Sequence, residues 1–430
     1  MELTVFLVSF AIFFLLGMPI AAAMISSSFL YCFLTGVDLI FMGTQMFTGI
    51  HSFVLIAIPL FILTAEVMTR TTVGQRIFDF CNALVGYIPG GLAHVNVTTS
   101  IIFAGMSGSA VADVGGIGHL AYQNMVDRGF DKEFSACVTI ASSTMGPIIP
   151  PSIPAVVYAM VANVSVGRLL FGGVVPGFLM GLLQMIYIYF VSIKRGYPKM
   201  QWAGWRVFFR DLLYTFLKAF LPILTPVILL ASIYTGVVTS TEAAALAVLY
   251  ALVLGFILYR TMDIKAFAQS LKSVFISSGA VLLLLPAAKV FGFVLTRENL
   301  QAKIFSFITS FAGNNKFLIA ACIIALFIVL GCLSDPNVNI MLFVPMVLPL
   351  IETAGFDPVH MGICIIVTAM IGNITPPVGI VLSSVCSMEK LSFEKVSRAL
   401  VPFIILLFAY VVILVAVPQL TLFLPNLLLG

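Results

Sequence analysis

Two stretches of this chain place small residues beside hydroxyl, amide and carboxylate groups within long apolar surroundings. The first is Phe-Ala-Gly-Met-Ser-Gly-Ser-Ala-Val-Ala-Asp at residues 103–113, and the second is Gly-Cys-Leu-Ser-Asp-Pro-Asn-Val-Asn at residues 331–339. Small residues permit close backbone approach, whereas the polar groups would be costly in lipid unless they were paired. Both stretches are therefore predicted to form the tips of hairpins that bind a ligand.

Two further stretches carry adjacent prolines within apolar runs. They are Ser-Ser-Thr-Met-Gly-Pro-Ile-Ile-Pro-Pro at residues 142–151 and Gly-Asn-Ile-Thr-Pro-Pro-Val-Gly at residues 372–379. Proline removes a backbone donor and frees an upstream carbonyl, so each stretch predicts a helix that unwinds within the membrane. Freed carbonyls and hydroxyls are hard oxygen ligands for a small alkali cation, and exposed helix N-termini attract anions. We therefore expect one sodium site in each half, between a hairpin tip and the facing unwound stretch.

The carboxylate of a substrate is then expected between the two tips. The candidate substrate-binding residues there are Ser107, Ser109, Asp113, Asn337 and Asn339. Asp113 and Asp335 could balance the charge of a cation or simply cap the half-helix that follows each tip.

The composition places these stretches in a membrane protein. Of the 430 residues, 61% are hydrophobic and only 9% are charged, against roughly a quarter charged in soluble domains. The net charge of +4 is too diffuse for nucleic-acid binding. Seven cysteines without a CxxC pair and four histidines without metal-ligand spacing predict neither a disulfide nor a zinc site. No cofactor is expected apart from sodium as the coupling ion.

The apolar runs predict an all-α, polytopic protein with ten crossings and two re-entrant hairpins. The crossings are predicted at residues 3–17, 18–36, 52–69, 131–165 (broken), 171–193, 216–236, 240–260, 275–296, 358–388 (broken) and 401–424. The hairpins are predicted at residues 90–125 and 316–350, where Gly, Ser, Asp and Asn interrupt the apolar sequence. Irregular backbone at membrane depth survives only where protein or a cavity satisfies it.

The distribution of basic residues predicts the orientation. If the loop from Lys194 to Lys218 is cytoplasmic, 16 of the 21 Lys and Arg residues lie inside, and the N-terminus is periplasmic. Residues 201–218, which mix tryptophan and phenylalanine with basic side chains, predict a linker helix in the cytoplasmic interface.

The chain also repeats itself at a nearly constant offset in residue numbering, which is 226 over most of the match and 227 upstream of it. The matched groups are Gly105 with Gly331, Gly129-Phe130-Asp131 with Gly355-Phe356-Asp357, Gly146 with Gly372, Pro150-Pro151 with Pro376-Pro377, and Pro59 with Pro286. Five predicted crossings separate equivalent points, so the second copy is expected upside down, as in many secondary carriers. The two repeats are predicted at residues 1–200 and 219–430, with scaffold helices at 1–70 and 216–260 and amphipathic arms at 73–87 and 298–312.

Four motifs make the chain resemble the large membrane subunit of tripartite ATP-independent periplasmic (TRAP) transporters. They are Gly-Met-Ser-Gly-Ser-Ala-Val-Ala-Asp at 105–113, Gly-Pro-Ile-Ile-Pro-Pro-Ser at 146–152, Thr-Ser-Thr-Glu-Ala-Ala-Ala at 239–245 and Asn-Ile-Thr-Pro-Pro-Val-Gly at 373–379. The resemblance spans essentially the whole chain and is strongest to the sialic-acid branch, although the C4-dicarboxylate branch shares these motifs.

The resemblance implies sodium-driven, elevator-like transport in a bacterial inner membrane. It implies two partners, a small four-helix membrane subunit and a periplasmic substrate-binding protein. The sodium ligands that it implies are Gly105, Ser107, Gly108, Gly146 and Pro147 in the first half, and Gly331, Ser334, Asp335, Gly372, Asn373 and Thr375 in the second.

Three alternatives remain open from the sequence. The first is a stand-alone sodium and dicarboxylate symporter that needs no receptor, and another is a passive channel. The third is an intramembrane protease, because Gly-Met-Ser-Gly at residues 105–108 matches the GxSG of rhomboid proteases, for which His360 is the one plausible base. A protease gives no reason for a duplicated hairpin.

Overall fold

Every regular element of the described chain is helical. The structure is a computed structural model that describes residues 2–313 and 315–430; Met1, in the first predicted repeat, and Asn314 lie outside the described residues. The helices are α1 Glu2–Leu15, α2 Ile20–Thr35, α3 Leu39–Ile50, α4 Ala57–Thr69, α5 Val73–Val85, α6 Gly91–Ser107, α7 Ala110–Asp113, α8 His119–Asp127, α9 Lys132–Ser143, α10 Ile153–Ala162, α11 Val166–Arg195, α12 Trp205–Tyr234, α13 Ser240–Leu252, α14 Ile264–Arg297, α15 Leu300–Ala312, α16 Lys316–Leu333, α17 Pro336–Thr353, α18 Pro358–Gly372, α19 Ile380–Met388, α20 Phe393–Ala416 and α21 Gln419–Leu429. A 3₁₀ turn precedes α4, one π-helical segment joins α7 to α8, and another extends α13.

The chain is a multi-pass membrane protein. In the described residues, seven helices are long and apolar enough to cross a membrane, or eight if the bent pair Leu39–Ile50 and Phe53–Thr69 is one span. Helices α1 and α2 have 14 and 16 residues, which is about 21–24 Å and short of a hydrocarbon core of about 30 Å. The arms of the second hairpin, α16 and α17, have 18 residues each. Length alone therefore does not distinguish that hairpin from two crossings, and the ten-crossing layout stays a prediction.

Three segments differ from the sequence-based expectation. One is the crossing predicted at 401–424, which the structure divides between α20, ending at Ala416, and α21, beginning at Gln419. Residues 39–50, for which the apolar runs predict no span, form α3, and the chain bends by 58° before it continues into α4. The predicted linker helix at 201–218 is not separate, because α12 runs unbroken for 30 residues from Trp205 to Tyr234. No glycine or proline follows Gly204 until Pro222, so nothing in the sequence ends the helix at the membrane surface.

Equivalent helices of the two halves begin at positions related by the offset of the sequence repeat. Helices α7 and α17 begin at Ala110 and Pro336, and α9 and α18 begin at Lys132 and Pro358, so both pairs are related by the offset of 226. The amphipathic arms α5 and α15 both have 13 residues, and their first residues are related by the offset of 227. These three pairs of helices therefore follow one another in the same order in both halves.

The repeated Gly-Phe-Asp sequence forms the entrance to each broken helix. Gly129 and Gly355 adopt left-handed backbone conformations with φ of 88° and 71°, which favour glycine. Asp357 then caps α18 by accepting from the backbone N–H of Val359 at 2.7 Å. Its equivalent, Asp131, instead holds the end of α11, accepting from Arg195 Nη1 at 2.8 Å and from the Tyr197 hydroxyl at 2.5 Å.

The helices form two packed groups. One, here called the scaffold, consists of α1–α4 and α12–α14; the other, here called the hairpin block, consists of α6–α11 and α16–α21. The arm α5 packs against both α12 and α6, and α15 packs against α14 as well as α16 and α17. Both arms therefore contact the scaffold and the hairpin block.

Glycines of α11 let this helix pack very closely against the first broken helix. A Cβ atom added at Gly173 would lie 2.1 Å from the carbonyl oxygen of Ile148, and one added at Gly177 would lie 2.3 Å from Ile149 Cγ1. Gly181 faces Ile101 of α6 at a similarly short distance, 2.6 Å. Small residues at every fourth position are typical of close helix packing in membranes.

We expect Gly173→Ala to destabilise the protein by about 1–3 kcal/mol, because the methyl group must displace a backbone carbonyl. Gly279→Ala is the matched control, since Gly279 is also within a long membrane helix and has no atom within 4 Å of an added Cβ. The measurement is the melting temperature of both variants in detergent. A Gly173→Ala protein that melts as late as Gly279→Ala would show that the contact is not tight.

Candidate functional site

The first hairpin turns at Gly108 and Ser109, between α6 and α7. Gly108 has a φ of 62°, and a Cβ there would lie 2.7 Å from the carbonyl oxygen of Pro151. Ser109 caps α7 by accepting from the Ala112 N–H at 3.4 Å. The tip therefore lies directly on the backbone of the broken helix.

The first broken helix is interrupted at its adjacent prolines. Helix α9 ends at Ser143 and α10 begins at Ile153. In this break, the carbonyls that accept no hydrogen bond from any described donor include those of Gly146, Ile148, Ile149, Pro150 and Pro151. The Ser152 hydroxyl donates to the Pro147 carbonyl and accepts from Ala155 N–H, which starts α10.

Buried hydrogen bonds hold the first hairpin against α9. Asn96 of α6 donates to Thr139 Oγ1 at 2.8 Å, and the Ser100 hydroxyl donates to Ser142 Oγ at 3.1 Å. All four side chains are at most 2% exposed. Buried polar pairs of this kind fix one arrangement, because separating them would leave unsatisfied groups in a dry interior.

The second hairpin turns at Ser334 and Asp335. Asp335 caps α17 by accepting from the Asn337 N–H at 2.8 Å. The Ser334 hydroxyl donates to Asn339 Oδ1 at 2.5 Å, and Asn339 Nδ2 donates back to the Ser334 carbonyl at 3.3 Å. The tip is therefore closed by its own side chains.

The second broken helix is unwound between Gly372 and Ile380. In this break, the carbonyls without a described hydrogen-bond donor are those of Ile374, Thr375, Pro376 and Pro377. The hairpin arm approaches so closely that a Cβ on Gly372 would lie 2.6 Å from Gly331 Cα. The Gly379 N–H also donates to the Cys332 carbonyl at 3.3 Å. Each half therefore brings a hairpin tip against a segment with free carbonyl oxygens.

The two tips meet around a small cavity of about 50 Å³. Among the predicted site residues, those that line it are Gly108, Ser109, Pro147, Asp335, Asn337 and Asn373. Buried oxygen atoms near the tips that have no hydrogen-bond partner in the described chain include Ser107 Oγ, Asn337 Oδ1 and Asn373 Oδ1. Unsatisfied oxygens at this depth indicate a place for a cation or a water molecule.

A larger cavity of about 520 Å³, here called the Arg70 cavity, separates the tips from the scaffold. Ser107, Ser109, Asp335 and Asn337 line one side, and Glu66, Arg70 and Ser277 are among the residues on the other. Arg70 Nε donates to Glu66 Oε2 at 3.1 Å, and Glu66 Oε1 accepts from the Ser273 hydroxyl at 2.5 Å.

The predicted substrate residues divide into two groups. Ser107, Ser109 and Asn337 line the Arg70 cavity. Asn339 is bonded within its own tip, and Asp113 is fully buried with neither carboxylate oxygen bonded to a described group. Neither of these two residues lines the Arg70 cavity or the small cavity between the tips.

The predicted sodium residues all lie at the tips or the breaks. Glycines at three of these positions are close-packed: an added Cβ would lie 2.7 Å from Pro226 Cβ at Gly105, 3.2 Å from the Ser109 carbonyl oxygen at Gly146, and 2.9 Å from the Ala369 carbonyl oxygen at Gly331. Thr375 donates its hydroxyl to the Ile371 carbonyl at 2.6 Å, which leaves the lone pairs of its oxygen available.

Sequence reasoning missed Arg70, Ser273 and Ser277 on the scaffold. The available signal was an arginine four residues after Glu66 at the end of an apolar helix, which is the spacing of a helical ion pair.

The residues of the alternative protease are not joined in this structure. His360 is buried, and its Nδ1 lies 2.7 Å from Thr421 Oγ1. The Ser107 hydroxyl has no hydrogen-bond partner in the described chain. A serine nucleophile requires a base within hydrogen-bond reach, so this arrangement does not support peptide cleavage.

Hairpin tips and broken helices that recur in both halves of one chain are typical of secondary transporters. The family described as "Tripartite ATP-independent periplasmic transporter, DctM component" matches residues 7–420. The chain is 37% identical over 415 residues to the sialic acid TRAP transporter large permease protein SiaM of Vibrio cholerae, covering 96% of each. It is 35% identical over 389 residues to the C4-dicarboxylate TRAP transporter large permease protein DctM of Pseudomonas aeruginosa, covering 90% of this chain and 89% of that one.

The fold is also similar to the crystal structure of the Alcanivorax borkumensis YdaH transporter. The TM-score is 0.56 at 14% identity, over 87% of this chain and 88% of the other, which shows a shared fold. The chain belongs to the family of DctM components, the large permeases of TRAP transporters.

We expect Gly108→Ala to loosen the first tip, because alanine disfavours a φ of 62° and its methyl group would meet the Pro151 carbonyl. Gly129→Ala is the control, since Gly129 has a φ of 88° but no atom within 4 Å of an added Cβ. Hydrogen–deuterium exchange over residues 104–113 should become faster in Gly108→Ala alone. Equal exchange in the two variants would contradict the proposed contact.

Proposed function

We propose that this chain is the large membrane subunit of a sodium-coupled importer that carries a small organic carboxylate, sialic acid or a C4-dicarboxylate, across a bacterial inner membrane. The observation that carries the proposal is the meeting of two hairpin tips with two unwound segments, in each of which at least four carbonyl oxygens accept no hydrogen bond from the described residues. Relatives named for sialic acid and for C4-dicarboxylates support the choice of substrate class.

Sodium is the cargo that fits these oxygens best. Backbone carbonyls, hydroxyls and amide oxygens are hard ligands that can replace the hydration shell of a small cation. In the first half they are offered by the tip around Ser107 and Gly108 and by the segment after Gly146. In the second half they are offered by Ser334 and by the segment from Gly372 to Thr375, where Asn373 Oδ1 is buried and has no hydrogen-bond partner among the described residues.

The substrate carboxylate would bind in the Arg70 cavity, against the tips. Ser107, Ser109 and Asn337 supply hydrogen-bonding groups from the hairpin block. Arg70 supplies a guanidinium from the scaffold, a group whose fork of donors matches a carboxylate. Because Arg70 is already paired with Glu66, its attraction for the substrate is moderated, which favours release.

Transport would proceed by movement of the hairpin block against the scaffold. The arms α5 and α15 contact both groups and would limit that movement. A periplasmic substrate-binding protein would deliver the substrate, and a small four-helix subunit would pack on the scaffold. With the N-terminus periplasmic, the Arg70 cavity lies toward the cytoplasm, so the present arrangement would be the inward-facing one.

The proposal is tested by uptake of N-acetylneuraminate and of succinate into proteoliposomes that contain the chain and its small membrane subunit. Uptake should require both an inward sodium gradient and the matching periplasmic receptor. Uptake that is unchanged when potassium replaces sodium would contradict sodium coupling. Full uptake without a receptor would instead support the stand-alone symporter.

We expect Asn373→Ala to raise the sodium concentration for half-maximal uptake about tenfold, which corresponds to about 1.4 kcal/mol, because one ligand oxygen is removed. The maximal rate at saturating sodium should change little. Asn124→Ala is the control, since Asn124 bonds only to the backbone of its own helix. An unaltered sodium dependence in Asn373→Ala would remove this side chain from the site.

A further inference from the structure

A second cavity, of about 330 Å³, lies between the scaffold and the hairpin block. It is here called the Lys289 cavity. Gln45 of α3 and Lys289 and Thr296 of α14 supply its polar groups, whereas Met341 and Leu342 of α17 are among its apolar residues. None of these residues belongs to the Arg70 cavity.

The sequence repeat relates the Lys289 cavity to the Arg70 cavity. Four scaffold positions of the Arg70 cavity are Ile62, Ala65, Glu66 and Thr69, and their partners at the offset of 227 are Lys289, Gly292, Phe293 and Thr296. All four partners line the Lys289 cavity. On the hairpin block, Gly115 and Gly116 likewise correspond to Met341 and Leu342 at the offset of 226. Six residues that line the Lys289 cavity are therefore repeat partners of residues that line the Arg70 cavity.

Lys289 carries a charge that the described chain does not balance. None of the ion pairs among residues 2–313 and 315–430 includes it, and none of their side-chain hydrogen bonds reaches it. Gly49 leaves room for its stem, because a Cβ at that position would lie 3.0 Å from Lys289 Cγ. Lys289 is also eight residues from the end of α14 at Arg297, which places it about 12 Å along the helix from that end.

An ammonium group so far along a membrane helix is costly unless it meets water or an anion. The cavity is open on one side, and Gln45 and Thr296 also contribute neutral hydrogen-bonding side chains to its lining. Its apolar walls would accommodate the carbon skeleton of a ligand whose charged end lies at Lys289.

We propose that the Lys289 cavity is a second binding site for the transported carboxylate, with Lys289 as the counter-charge and Gln45 and Thr296 as hydrogen-bonding partners. This inference rests on the proposed function. It adds a site that the substrate occupies from the face opposite to the Arg70 cavity, before it reaches the hairpin tips.

The first test measures occupancy without transport. The full-length chain in phosphatidylcholine nanodiscs is acetylated with an amine-reactive ester, and modification of Lys289 is followed by peptide mass spectrometry. N-acetylneuraminate or succinate should slow acetylation of Lys289 at least about fivefold relative to sodium chloride of equal ionic strength. Lys272, an exposed lysine on the same helix, should be unaffected. Equal rates with and without the acids would overturn the proposal.

A lipid headgroup is the other source of an anion, and the same assay separates it. The contrary result is that Lys289, in nanodiscs that contain phosphatidylglycerol, is protected from acetylation before any acid is added, and that the acid then adds no further protection. That result would assign the cavity to lipid and overturn the substrate site.

The second test uses uptake into proteoliposomes with the small subunit and the receptor. Lys289→Gln should raise the KM for external substrate about tenfold, while Lys289→Arg stays within about threefold of the original and Lys272→Gln is unchanged. The KM for substrate presented at the opposite face should not move in Lys289→Gln. An unchanged KM for external substrate in Lys289→Gln would refute the second binding site but not the proposed function. Absence of uptake by the unmodified chain would refute the proposed function, and the acetylation result would then decide whether the Lys289 cavity binds a carboxylate.

Discussion

The structure depends on backbone carbonyls that are left without hydrogen bonds inside a membrane protein. Such groups are tolerated only where protein surrounds them, because lipid offers no donor. Here glycine makes that enclosure possible. Gly173 lies on the Ile148 carbonyl, Gly108 lies on the Pro151 carbonyl, and Gly331 lies against Gly372. The hairpins and α11 thus pack closely against the breaks and surround these free carbonyl oxygens with protein.

Much of this arrangement could be predicted from the sequence, because glycines, prolines and the internal repeat determine it. The Pro-Pro pairs indicate the two breaks, and the offset of 226 indicates the matching order of helices in each half. Where prediction failed, the local signal was weak or contradictory. Helix α3 contains Gly43, Thr44, Gln45 and Thr48 among its apolar residues, so it does not resemble a span. The basic and aromatic start of α12 resembles a surface helix, although no residue there ends the helix before the membrane.

Only those residues of the candidate site that belong to the hairpin-tip motifs could be predicted from the sequence. Ser107, Ser109 and Asn337 belong to the tips, and their position followed from the tips themselves. Arg70 comes from a scaffold helix, and only tertiary packing brings it opposite them. Asp113 is the opposite case, because it belongs to a tip motif but does not line the Arg70 cavity. The cavity is lined by the helical face of residues 111, 112, 115 and 116, and Asp113 points to a different face of the same turn, which a linear motif does not reveal.

Duplication explains why two cavities exist, and divergence between the copies explains why they are not equivalent. Gly115 and Gly116 leave the Arg70 cavity wide, whereas Met341 and Leu342 narrow its counterpart. The charges differ as well. Glu66 balances Arg70 in the first cavity. The repeat partner of Glu66 in the second cavity is Phe293, and no carboxylate among the described residues pairs with Lys289. On the proposed function, a carboxylate would therefore be attracted more strongly to the Lys289 cavity than to the Arg70 cavity. With the orientation that the basic residues predict, the stronger attraction would be on the periplasmic face and the weaker on the cytoplasmic face, so the scaffold itself would favour capture outside and release inside.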